Sequence, residues 1–247
     1  MSYSRSSEQS RQSHCHTPQR RRLRRRCVAT LVATATLAVA VNGCASSEDT
    51  ATLHTERRPI GTLGSAFTDA AAPPAPESTI TPRPGSWDAV HPPRGYRVVL
   101  LTAGDDPATT TLVTGVKQWA AAEQVRLETV AALEEDGFVN AIAAAMHPAP
   151  DLIICAGNAL VDALALVTAS HLNQQFLVVG AQLPEPTVNV TAAIWRGASS
   201  RGREVPDTVS SFDPDSFMPG HVGAAIRAGV ASVLSDITGI VIWLDTR

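Results

Sequence analysis

Chemistry-bearing residues are scarce in this chain. Only four of its 247 residues are cysteines, eleven are aromatic and seven are histidines. Cys15 and Cys27 fall in an arginine-rich leader, Cys44 directly follows it, and Cys155 lies in the apolar run Leu152–Ala156. With Cys44 taken as a lipidation site, Cys155 alone remains, no intramolecular disulfide is available, and stability must come from an apolar core. The lone Cys155 reads as a small hydrophobe in a buried strand rather than a reactive thiol. His91, His147, His171 and His221 stand apart, without metal-ligand spacing. GxGxxG, P-loop and GxSxG motifs are all missing, which removes dinucleotide, nucleoside-triphosphate and serine-hydrolase readings. The pair Asp105-Asp106 resembles a response-regulator acid pair, but Gly157 stands where the phospho-acceptor aspartate would be needed. The chain therefore reads as a non-enzyme with no catalytic residues, no cofactor and no metal.

Basic charge is also scarce outside the leader. Residues 1–43 hold eight of the 20 Lys+Arg and one of the 23 Asp+Glu, so the rest carries 12 basic and 22 acidic groups, a formal net of −10. Such a surface repels phosphate backbones and excludes nucleic acid as a partner.

What is present begins with six arginines between Arg20 and Arg26, followed by the uncharged run Val28–Val41 and then Asn42-Gly43-Cys44. A positive segment, a short apolar run and small residues at a cleavage point form a secretory signal. The run is shorter than the roughly 20 residues that span a bilayer. A cysteine after Gly43 gives the layout of a bacterial lipoprotein signal, with residues 1–43 removed and Cys44 lipidated. An uncleaved anchor helix is the alternative, and the residues after Arg25-Arg26 fit twin-arginine export poorly. The expected location is the extracytoplasmic face of the cell membrane, held by lipid. Residues 44–95, with eight of the 17 prolines and many Ser, Thr and Ala, read as a disordered tether.

From Tyr96 the pattern changes. Arg97–Thr102, Val125–Ala131, Asp151–Ala156, Phe176–Val179, Val188–Trp195 and Gly239–Leu244 read as strands. The first, a continuous apolar run, is consistent with a strand buried on both faces. Helices are expected after Asp106-Pro107, where Asp106 serves as N-cap and Pro107 as first residue, near Glu134–Asp136, over Asn158–His171 and over Phe217–Leu234. The alternation predicts an α/β domain over 96–247, an open parallel sheet with helices on both faces and right-handed crossovers. Ligands of such sheets bind beyond the carboxyl ends of the strands. Those ends are Ala103–Asp106, Gly157-Asn158 and Gly180–Gln182, which makes Asp105, Asp106, Asn158 and Gln182 the candidate ligand-binding residues. The same residue types are also ordinary turn and cap residues.

Three stretches, Asp151–Asn158, Phe176–Gln182 and Ser216–Leu234, resemble in order and spacing the basic-membrane-protein family of substrate-binding lipoproteins. The resemblance covers roughly 96–247. It implies a lobe of the type 1 periplasmic-binding fold that captures nucleosides or similar small solutes for an ABC importer, with a permease as partner. The first loop differs from that family, carrying Asp105–Thr111 with no aromatic and no asparagine, and Gly180-Ala181-Gln182 replaces an aspartate after the fourth strand. By resemblance, Gln182 is left as the sugar-hydroxyl partner. The 152 residues from 96 to 247 have room for one lobe. Phe217–Leu244 then either opens a second lobe or folds back to complete a six-stranded sheet. A homodimer would supply the missing cleft wall. The competing reading is a surface interaction lipoprotein without a small-molecule ligand.

Overall fold

The computed structural model describes residues 58–69, 71–200 and 212–244. The chain divides into two units, Met1–Asp49 and Thr50–Arg247, and every described residue belongs to the second. The leader, Cys44 and the first part of the expected tether lie outside the described residues.

In chain order the elements are β1 (Thr79–Ile80), β2 (Arg97–Ala103), α1 (Pro107–Ala122), β3 (Arg126–Ala132), α2 (Phe138–Met146), β4 (Leu152–Ala156), α3 (Val161–Val167), β5 (Phe176–Val179), β6 (Ala181–Gln182), β7 (Val190–Trp195), β8 (Ser199–Ser200), α4 (Pro219–Leu234) and β9 (Val241–Leu244). Seven strands form one sheet in the order β1-β9-β7-β5-β4-β2-β3, every pair parallel. β6 and β8 make a separate two-stranded pair.

Alternate residues of the central strands feed two cores. Val98, Leu100, Leu152, Ile154 and Leu177 face one layer with Leu112 and Val116 of α1 and Val222 and Ile226 of α4. Val99, Leu101, Ile153, Cys155 and Val178 face the other, with Ile142 of α2 and Leu164 of α3. A sheet covered on both faces needs apolar side chains at successive positions, which is why these strands read as unbroken hydrophobic runs. The expected α/β class, with helices on both faces, is what the chain adopts. Phe217–Leu244 folds back onto this sheet: α4 packs on the α1 side and β9 lies beside β7.

Residues 58–95 are not the disordered tether expected for 44–95. Phe67, Trp87 and Val90 are buried in the α1–α4 core, with Leu63 and Ile80 packed against it. The segment is closed by backbone hydrogen bonds between Gly64 and Ser86 (2.7 Å) and between Ile60 and His91 (2.9 and 2.8 Å). β1 adds a seventh strand along the free edge of β9, with Thr79 in register with Val241. Proline dominates the composition here, but a few widely spaced large apolar residues are enough to dock the chain, because each adds buried area without needing a periodic pattern. The domain therefore starts by residue 58 rather than at 96.

Smaller differences concern helix length. The helix expected over 158–171 is confined to α3 and a 3-10 turn over Thr168–Ser170. Asn189 explains the compact turn that follows. Its side-chain amide donates to the carbonyls of Thr168 (3.2 Å), His171 (3.0 Å) and Gln174 (2.9 Å) while fully buried. The sequon Asn189-Val190-Thr191 is thus structural, its amide used up inside the domain.

Candidate solute-binding cleft

β2 and β4 are neighbours, yet the chain leaves β2 toward the α1–α4 layer and leaves β4 toward the α2–α3 layer. Loops that part to opposite faces leave a crevice at the strands' carboxyl ends, the topological switch point of an open parallel sheet. A cavity of about 460 Å³ lies there, walled by residues 106–109 after β2, 157–159 after β4 and three side chains of the 212–217 turn. That volume is in the range of small-molecule sites.

Each wall has a local cause. Asp106 has extended backbone (φ −61°, ψ 160°) and caps α1: one carboxylate oxygen accepts from the Thr109 N–H at 3.0 Å and the other from the Thr109 hydroxyl at 2.6 Å. Burial alone would raise its pKa, but the hydrogen bonds from the Thr109 hydroxyl and from the backbone N–H groups of Thr109, Ala108 and Asp106 outweigh it and hold the carboxyl below its ordinary value. The charge at the cleft wall is therefore kept at neutral pH. Gly157 turns the chain after β4 at φ +88°, and a Cβ there would sit 3.2 Å from the Thr109 hydroxyl. The next residue, Asn158, places a buried side-chain carbonyl oxygen with no hydrogen-bond partner among the described residues. Leu112, fully buried, contributes apolar surface from the second turn of α1.

The aromatic wall comes from far along the chain. Phe217 meets Trp195 edge-on at 4.9 Å and Phe212 at 5.7 Å between ring centroids. The buried Trp195 Nε1 donates to the Ser216 carbonyl (3.1 Å) and hydroxyl (3.2 Å), and the Ser216 hydroxyl donates to the Asp213 carbonyl at 2.7 Å. These bonds fix the turn that carries both phenylalanines. Phe212 remains 52 % exposed, an aromatic face presented to the cleft mouth.

Of the four expected ligand-binding residues, Asp106 and Asn158 line the cleft. Asp105 sits one residue outside it, its carbonyl accepting from the Thr110 hydroxyl at 3.2 Å. Gln182, buried in β6 beside β8, is not part of the lining. Thr109, Phe212 and Phe217 were not singled out as ligand contacts. Phe217 is the second residue of the Ser216–Leu234 stretch that carried the family resemblance, so a signal for it was present. Phe212 sits in a polar, Gly-rich excursion that gave none.

Cys155 is fully buried in β4, and burial pushes its thiol far above the ordinary range. Among the described residues no three His, Cys, Asp or Glu side chains gather as metal ligands, and no helix is long and apolar enough to cross a membrane.

No protein-family model matches the sequence, and neither does any curated protein. Among solved structures the chain is similar to an ABC transporter solute-binding protein from Aeropyrum pernix K1 (19 % identity, TM-score 0.37, covering 41 % of this chain and 29 % of that one). It is similar also to one from Conexibacter woesei DSM 14684 (14 %, TM-score 0.35, 40 % and 35 %). A lipoprotein fragment from Peptoclostridium difficile 630 aligns at 14 % identity and TM-score 0.41, covering 56 % of this chain and 98 % of that one. The chain thus spans about a third of the length of the two solute-binding proteins it resembles. At these scores the likenesses add nothing to the α/β class read from the sheet itself.

Proposed function

We propose that the chain is an extracytoplasmic, non-catalytic, lipid-anchored solute-binding lipoprotein that captures a small ring-bearing solute in the cleft at the switch point. The observation that carries this reading is the cleft: an apolar cavity of about 460 Å³ whose lining includes two phenylalanines, the ionised Asp106 carboxylate and Asn158. Mostly apolar walls with a few fixed polar groups are what bind and orient small molecules. An aromatic ring stacks on the half-exposed Phe212, while the Asp106 carboxylate accepts a hydrogen bond from a ring amine or hydroxyl. Nucleosides, the class that the sequence resemblance implies, carry both features. Lipidation at Cys44 and delivery to an ABC permease complete the proposal, and a second copy of the chain facing the open side would close the cleft.

The test is a thermal-unfolding screen of the full chain against nucleosides, nucleobases, sugars and amino acids. A solute at 100 times its dissociation constant adds roughly 2.7 kcal/mol of stability. The expected result is a Tm rise for one class that is lost in Asn158→Ala and in Phe212→Ala. A folded chain that answers to no member of the panel favours the interaction-lipoprotein reading.

A further inference from the structure

The residues lining the cleft include one carboxylate and, among those described, no lysine, arginine or histidine. Asp106 keeps both oxygens on the cap of α1, yet each retains acceptor capacity facing solvent. Three further acidic residues neighbour the lining in sequence: Asp105 precedes Asp106, and Asp213 and Asp215 stand either side of Pro214. Arg196, at the end of β7, is a basic residue at the same end of the sheet but is not part of the lining. The amino termini of α1 and α4 bring about half a positive charge each, which four carboxylates outweigh. Beside this acidic rim stand two phenylalanine rings 5.7 Å apart and inclined at 57°, one of them half exposed. Ring faces carry negative potential and attract cations, most strongly where water is displaced.

Resting on the solute-binding reading above, we infer that the cleft selects an organic cation, a solute whose ammonium group meets Asp106 and the Phe212–Phe217 rings. Anionic solutes are disfavoured by the same rim, and an uncharged solute gains from the rings alone.

The charge is isolated by a matched pair of probes, 2-phenylethylamine and 2-phenylethanol, which share ring and size. Titration calorimetry on the full chain at pH 7 is expected to show the amine binding about tenfold tighter. The preference should shrink as salt is raised from about 20 to about 500 mM, since the rim carboxylates are screened. Asp106→Asn removes the charge and keeps a side chain that caps a helix equally well, so its amine-to-alcohol ratio should fall toward one. Equal binding of the two probes, or a ratio untouched by both salt and Asp106→Asn, overturns the inference while leaving a neutral-solute cleft standing. Binding of neither probe, together with silence to the whole solute panel, overturns the solute-binding reading itself.

Discussion

Gly180 shows how much of the cleft depends on single atoms. It ends β5 at φ +78°, and a Cβ on it would stand 2.7 Å from Cε1 of Phe217, the ring that forms the aromatic wall. Gly180→Ala therefore combines backbone strain with displacement of Phe217. A loss on the order of 2–3 kcal/mol is expected from urea unfolding, accompanied by weaker solute binding. Asp106 acts at the same scale. Removing its cap with Asp106→Ala should cost about 1 kcal/mol at pH 7. Its folded pKa lies below the ordinary 3.8. The stabilisation tied to its ionised form is thus complete above that value and is lost as pH falls through the lowered folded one. The gap between wild type and Asp106→Ala should accordingly hold from pH 7 down to about pH 5 and narrow below pH 4.

At the scale of elements, the strap over residues 58–95 carries the main correction to the sequence reading. Trp87 is 3 % exposed in the α1–α4 core and meets Phe67 edge-on at 6.5 Å. Trp87→Ala should destabilise the chain by about 3–5 kcal/mol, whereas a change in a free tether would do nothing measurable. The two outcomes are separated by one denaturation curve. The long elements, by contrast, were legible. β2, β4 and β5 announced themselves as buried runs, and α1 by Asp106-Pro107 at its start, because parallel strands and helix caps impose local rules. The strap obeys no local rule: its order comes from Phe67, Trp87 and Val90 finding a core shared by α1 nearby and by α4 and β9 far along the chain. The aromatic wall was hidden for the same reason. Phe212 and Phe217 reach the cleft only through the return of the chain after β7 and the anchoring of Ser216 by Trp195.

The described residues are built on a seven-stranded parallel sheet with a crevice where its connections diverge, and the account of function stands on that crevice. Asp106 and Asn158 could be named from sequence because the loops after β2 and β4 are fixed by the strand order. Gln182 lies outside the cleft lining because the chain after Gly180 enters the short β6, which pairs with β8. The most direct measurement of the central claim is hydrogen exchange of the full chain with adenosine or 2-phenylethylamine added to saturation. The account predicts slowed exchange in residues 104–109, 157–159 and 212–217, with the α2–α3 face unchanged. Slowed exchange elsewhere alone, or none with either solute, would contradict it.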